Sequence, residues 1–285
     1  MYINCHSNFS LKRGTLSVKK LVQLAAEKGI TQLALTDVNN TSAGFDFLKA
    51  CKNQKIQGVV GIEFRDDDGQ LLYVGLPKNQ DGFQELSNLL TKKLKDKVDK
   101  FYVPLGIKAH LTSWGVDATK ITEFDWWENI NFKGVEFISA PARHFSGRGI
   151  TNRNSTLWCS WVLKSDNSNI FFSGDSGYGK HFKEIGEKYG PFDFAMVECG
   201  QYNEQWSQIH MTPEETIQAS IDVKSSLTMP IHWGSFKLAL HSWDDPIIRV
   251  SAQAKVLNVK ITTPKIGEAI VLSEENYPSE KWWLQ

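Results

Sequence analysis

All ten tryptophans of this 285-residue chain lie after residue 100, and none lies before it. Charge changes at the same place. Residues 1–100 carry 15 Lys+Arg against 11 Asp+Glu, and residues 101–285 carry 17 against 21. The step falls on "TKKLKDKVDK" (91–100), which holds five lysines. Such a cluster alone is a solvated helix face or turn, but coinciding with the tryptophan step it marks a boundary between two unlike segments. We place the first at residues 1–92 and the second at 93–285. Neither an internal repeat nor a low-complexity stretch is found.

Net charge is zero, so no whole-protein field favours nucleic acid or an anionic membrane. No apolar run reaches the roughly 18 residues of a membrane span. "MYINCHSNFS" has no basic region followed by an apolar one, so no secretory leader is expected. Cys5, Cys51, Cys159 and Cys199 are far apart and form no C-x-x-C, which reads as reduced thiols and a cytoplasmic location.

In the first segment "TLSVKKLVQLAAEKGI" has helical apolar spacing, with Ser17 as N-cap and Gly29 as stop. "TQLALTD" reads as a buried strand ending at Asp37, "SAGFDFLKACKNQ" as a helix and "IQGVVGIEFR" as one strand carrying Glu63. A further strand, "LLYVGLP", and a helix, "DGFQELSNLLTKKL", follow. This alternation predicts an α/β segment with a parallel sheet of βαβ units. Polar residues at strand ends, here His6, Asp37 and Glu63, lie where such folds bind ligands.

"CHSNFSLKRGTLSVKKLV", "LALTDVNNTS" and "VVGIEF" resemble the start of the PHP (polymerase and histidinol phosphatase) domain, above all that of the bacterial DNA polymerase III α subunit. The resemblance implies a metal cluster begun by His-x-His, Thr-Asp-His and a Glu. Here Asn4 and Val38 stand where two of those histidines would be, while His6, Asp37 and Glu63 match as weaker metal candidates. They are also readable as structural polar groups.

The second segment contains "VEFISAPARH", "NSTLWCSWVLKS", "NIFFSGDSGYG", "PFDFAMVECG" and "LTMPIHWGSF" as strands. Between the last two, "HMTPEETIQASIDV" reads as a helix with Thr212 as N-cap, Pro213 at its first position and Glu215 at its third. Three strands thus end in His144, Asp175 and His232. Two imidazoles and a carboxylate are a usual zinc set, although each residue alone is also a satisfied structural group or turn former.

"SAPARHFSGRGITNRNSTLWCSWVL", "FFSGDSGYGKHFKEIGEKYGPFDFAMVECGQYNEQW", "IHMTPEE" and "PIHWGSFKLALHSWDDP" resemble the C-terminal half of metallo-β-lactamase-fold hydrolases. The branch is that of N-acyl-phosphatidylethanolamine phospholipase D and the ascorbate-6-phosphate lactonases. The fold implied for the whole chain is α/β: a PHP-like βαβ fragment followed by half of an αββα sandwich. By motif, His144 would bind one zinc, Asp175 would bridge two zincs and act in catalysis, and His232 would bind the second. His210 would act in catalysis and contact substrate, and Arg148 and Arg153 would orient a phosphate.

The family's first half supplies His-x-His-x-Asp-His. The seven histidines here are His6, His110, His144, His181, His210, His232 and His241, so no two are two residues apart and no Asp-His occurs. The expectation is a zinc hydrolase of a phosphodiester, phospholipid or lactone, impaired, holding one ion weakly where the intact family holds two. A non-catalytic fusion or binding module and a PHP-type phosphoesterase are the alternatives. Each segment is part of a larger sheet system, so leftover apolar faces would favour association between copies.

Overall fold

The computed structural model describes residues 2–10, 13–66, 68–96, 98–147, 152–234, 238–265, 268–274 and 276–284. The chain divides into two compact units, Met1–Asp99 and Lys100–Gln285.

The first unit runs β1 (Tyr2–Cys5), α1 (Val18–Glu27), β2 (Gln32–Leu35), α2 (Gly44–Asn53), β3 (Gln57–Val60), β4 (Ile62–Arg65), β5 (Leu71–Gly75) and α3 (Gln80–Asp96). β1, β2 and β3 form a parallel sheet in that order. α1 starts where the Ser17 side chain accepts the Lys20 amide at 3.3 Å, and the chain leaves it through Gly29 at φ +69°. Its Val22 and Ala25 pack with Leu33, Leu35, Phe47 and Cys51 into one buried cluster.

Residues 56–65, expected as one strand, are two strands in different sheets. The break is Gly61, where a Cβ would stand 2.3 Å from the Gly75 carbonyl oxygen. That close approach lets the chain leave the parallel sheet, and β4 instead pairs antiparallel with β5. α3 runs into the lysine-rich stretch as far as Asp96, and the two units divide at its end, between Asp99 and Lys100.

The second unit runs β6 (Phe101–Pro104), α4 (Ile107–Ser113), β7 (Ile121–Phe124), β8 (Asn129–Phe132), β9 (Val135–Pro141), β10 (Cys159–Lys164), β11 (Asn169–Phe172), α5 (His181–Lys188), β12 (Phe194–Glu198), α6 (Pro213–Asp222), β13 (Thr228–Ile231) and α7 (Asp245–Val256). Six strands make one mixed sheet in the order β13-β12-β11-β10-β9-β8. β10 is antiparallel to both β9 and β11, while β11, β12 and β13 are mutually parallel. It follows that β9, β11, β12 and β13 all run the same way and end at one edge.

Alternate residues of these strands face α5 and α6. Ile138, Ala140, Val162, Phe171, Ala195 and Val197 are buried with Phe182, Ile185 and Ala219. α7 packs on α6 through Ile217, Val250 and Ala254. On the other face the parallel pair β6–β7 brings Tyr102 to Phe137, with ring centroids 5.1 Å apart, and Phe124 to Trp161 at 5.7 Å. The layers are therefore helices, a six-stranded sheet and a two-stranded sheet. Mixed α/β units joined in this way are what the chain's motifs implied.

α6 opens with a capping box: the Thr212 hydroxyl accepts the Glu215 amide, and the Glu215 carboxylate accepts the Thr212 amide at 2.8 Å. Thr212→Ala is expected to cost about 1 kcal/mol, read as a lower urea midpoint at unchanged m-value.

Candidate functional site

The common edge of β9, β11, β12 and β13 gathers the candidate residues of the second unit. His144 follows β9 by three residues, Asp175 follows β11 by three, Glu198 ends β12, and His232 is the first residue after β13. Backbone bonds tie these ends together. Arg143 donates its amide to Ser176 Oγ at 2.9 Å, and Gly177 donates to the Arg143 carbonyl at 2.8 Å. Ser173 Oγ accepts the Glu198 amide at 3.0 Å, and Cys199 donates to the Ile231 carbonyl at 3.0 Å.

His232 sits at φ +66°, a left-handed conformation strained for a non-glycine residue. Gly200 makes room for it, since a Cβ there would lie 2.0 Å from the His232 carbonyl oxygen. His210 is placed by its neighbours: Met211 donates its amide to Glu198 Oε1 at 2.7 Å, and Thr212 caps α6.

The result is a cluster of three imidazoles and two carboxylates. The His144 and His210 rings are 5.2 Å apart, and the His210 and His232 rings 5.3 Å. His232 Nε2 lies 3.7 Å from Asp175 Oδ2. His210 Nδ1 lies 3.5 Å from Glu198 Oε2, facing it without a hydrogen bond. His144 donates Nδ1–H to the Phe145 carbonyl at 2.8 Å, the only role open to a nitrogen facing a carbonyl, which turns Nε2 away from that bond. That Nε2, His210 Nδ1 and Glu198 Oε2 are all buried without a hydrogen-bond partner among the described residues.

Burial pushes His210 and His232 below the ordinary histidine value, against the pull of the Asp175 carboxylate, so both are neutral at neutral pH. Burial pushes the Glu198 carboxyl well above the usual carboxylate range; the Met211 amide opposes this and the Asp175 charge adds to it. Each unsatisfied buried polar atom costs about 1–3 kcal/mol. A cation beside Glu198 Oε2 and His210 Nδ1 would satisfy both, and ligand atoms of these two residues and His232 lie within 4.8 Å of one another, so the donor set fits a divalent metal.

A cleft of about 620 Å³ opens beside His144 and Asp175, walled by Phe145, Trp158, Trp161 and Phe172. Arg153 is exposed and lies over the Phe145 ring at 5.7 Å. Arg148 lies outside the described residues. Glu198 was not among the expected ligands. Only the parallel pairing of β12 with β11 and β13 brings its end level with those before Asp175 and His232.

In the first unit, His6 and Glu63 come together, with Nε2 and Oε2 3.0 Å apart. Asp37 does not join them. Its carboxylate accepts the Ser7 amide and hydroxyl at 2.7 Å each and the Ser10 hydroxyl at 2.6 Å. Arg65, two residues along β4 on the same strand face, donates Nε–H to Glu63. Burial works to raise the Glu63 carboxyl, but bonds from Arg65 and Asn4 and the charges of His6 and Arg65 hold it below the ordinary value. Sequence reasoning passed over Arg65, although its i, i+2 spacing from Glu63 was visible.

The family model for the beta-lactamase superfamily domain matches residues 81–233, and that for the PHP domain matches residues 3–129. An uncharacterized protein of Mycobacterium tuberculosis is 43% identical over 173 residues, which are 60% of this chain and 46% of that protein. The N-acyl-phosphatidylethanolamine-hydrolyzing phospholipase D 1 of Caenorhabditis elegans is 34% identical over 149 residues, 49% of this chain and 42% of that enzyme. The DNA polymerase III subunit alpha of Chlamydia muridarum is 43% identical over 61 residues, 21% of this chain and 5% of that subunit. Among solved structures, the metallo hydrolase Igni18 of Ignicoccus hospitalis shares the fold, at 17% identity and a TM-score of 0.50 over 63% of this chain and 71% of its own. The chain spans less than half the length of the mycobacterial and nematode relatives. Among the described residues no helix is long and apolar enough to cross a membrane.

The raised Glu198 carboxyl gives a signed expectation. A folded-state value above the unfolded one means that stability falls as pH rises through that interval. In chelator, Glu198→Gln should therefore be more stable than the native chain at about pH 8 and lose that advantage below about pH 4.5. Urea unfolding across this range checks it; a native chain equally stable at pH 8 would contradict it.

Proposed function

Residues 81–233 make this chain a member of the beta-lactamase superfamily, and from that premise we propose that its second unit is a zinc-dependent hydrolase of phosphodiester or lactone bonds. The observation that carries the reading is the convergence of His144, Asp175, Glu198, His210 and His232 on one sheet edge, with three buried donor atoms unpartnered. Imidazole and carboxylate donors suit zinc better than magnesium or calcium. His144, Asp175 and His232 are the holding residues that the family motif assigns. A cation held there supplies a lowered pKa for bound water and neutralises charge developing on the substrate.

The chain's own groups do the rest. Asp175, with a half-exposed side chain, reaches the cleft, where Oδ2 is placed to accept a proton. His210 turns Nδ1 toward Glu198, which leaves Nε2 for substrate. Arg153, seated over Phe145, offers a guanidinium to a phosphate, and the aromatic wall excludes water from one side. Turnover is slow in this reading, because every donor comes from one half of the sandwich and the sequence has no His-x-His-x-Asp-His.

We read the first unit as a non-catalytic module. The guanidinium of Arg65 already neutralises Glu63, and the Asp37 oxygens are taken by Ser7 and Ser10. This favours a binding role over PHP-type phosphoester cleavage.

Bis(p-nitrophenyl) phosphate tests the proposal. Slow zinc-dependent cleavage is expected, abolished by chelator and reduced at least about 100-fold by His144→Ala and by His232→Ala. Cleavage indifferent to chelator and to both substitutions would refute the hydrolase reading. Absence of any turnover in zinc-loaded protein would favour the binding module.

A further inference from the structure

We propose that the cation of this centre sits between Glu198, His210 and His232, on the buried side of the sheet edge, rather than between His144, Asp175 and His232. The proposal rests on the reading that the cluster holds a metal, and it moves the metal to donors that the family motif does not name.

The geometry separates two donor sets that share His232. One ligand atom each from Glu198, His210 and His232 all lie within 4.8 Å of one another. Zinc bonds of about 2.0–2.2 Å put neighbouring donors of one ion roughly 3–4 Å apart. The 3.5 Å between Glu198 Oε2 and His210 Nδ1 already meets that spacing, and the third donor has only a short way to close.

Environment points the same way. The Glu198 side chain is fully buried, and its Oε2 has no hydrogen-bond partner. Among the described residues no Lys or Arg forms an ion pair with it; the His210 ring faces it at 3.5 Å, and the other charges that reach it, Asp175 and Glu215, are negative. Oε1 is held by the Met211 amide, so the carboxylate is aimed and its second oxygen left over. The Asp175 side chain, by contrast, is 47% exposed, and water can satisfy it. A buried carboxylate lacking a counter-charge gains far more from a cation than an exposed one does.

Two imidazoles and one carboxylate select a divalent transition metal, zinc or ferrous iron, over magnesium and calcium. Cobalt(II) reports on such a site through its visible d–d absorption, independently of turnover.

The experiment titrates cobalt(II) into the full chain and into His144→Ala/Asp175→Asn, which leaves the buried donors intact. The double variant should still bind one cobalt, within about tenfold of native affinity. Adding Glu198→Gln or, separately, His210→Gln should then weaken binding by more than about 100-fold, beyond the loss typical of a merely orienting partner. Far-UV circular dichroism confirms that each variant is folded, and either of the two added substitutions suffices if the other fails to fold. A double variant that binds no cobalt while the native chain binds one would overturn the proposal and leave the metal-centre reading standing. A native chain that binds none would overturn both.

Discussion

Everything at the candidate centre depends on strand direction. Within the six-stranded sheet β9, β11, β12 and β13 run one way, opposed only by β8 and β10, and so deliver their C-terminal ends to one edge. Chain positions as remote as His144 and His232 therefore become neighbours. Short ties between the loops, such as Arg143 to Ser176 and Cys199 to Ile231, then hold the side chains within a few ångströms of each other. Glycine at position 200 leaves space for the His232 carbonyl, which a side chain there would occupy.

Glu63 in the first unit and Glu198 in the second are both fully buried, and their surroundings treat them in opposite ways. Glu63 has a guanidinium from Arg65 and an imidazole from His6, and its carboxyl stays below the ordinary value. Glu198 has no fixed cation among the described residues, and burial drives its carboxyl upward. A buried charge without a partner is expensive, so it is neutralised by a proton or by a metal. The first unit carries its counter-charge within its own strand. The second leaves that place open, beside histidines that burial keeps neutral and therefore able to coordinate.

Much of this was legible in the chain. The capping box at Thr212 and Glu215 was readable because every part of it lies within four residues. The strand ends at His144, Asp175 and His232 were readable because polar residues interrupt apolar runs there. What could not be read depends on partners distant in sequence. Gly61 splits β3 from β4 because of a carbonyl at Gly75 on another strand, so the parallel pattern expected over residues 56–77 gives way to a hairpin. Asp37 accepts hydrogen bonds from Ser7 and Ser10, contacts set by how the loop after β1 folds back. Glu198 reads as one more strand residue until the sheet shows that its end is level with the others.

The central claim is that donors from one sheet edge hold a single cation, whereas a dinuclear centre needs a second lobe of the sandwich to supply donors. Zinc K-edge X-ray absorption on the zinc-loaded full chain tests it most directly. The prediction is one zinc per chain, nitrogen and oxygen donors at about 2.0–2.2 Å with imidazole back-scattering, and no metal neighbour. Two zincs per chain with a metal–metal vector at about 3.5–4 Å would contradict it.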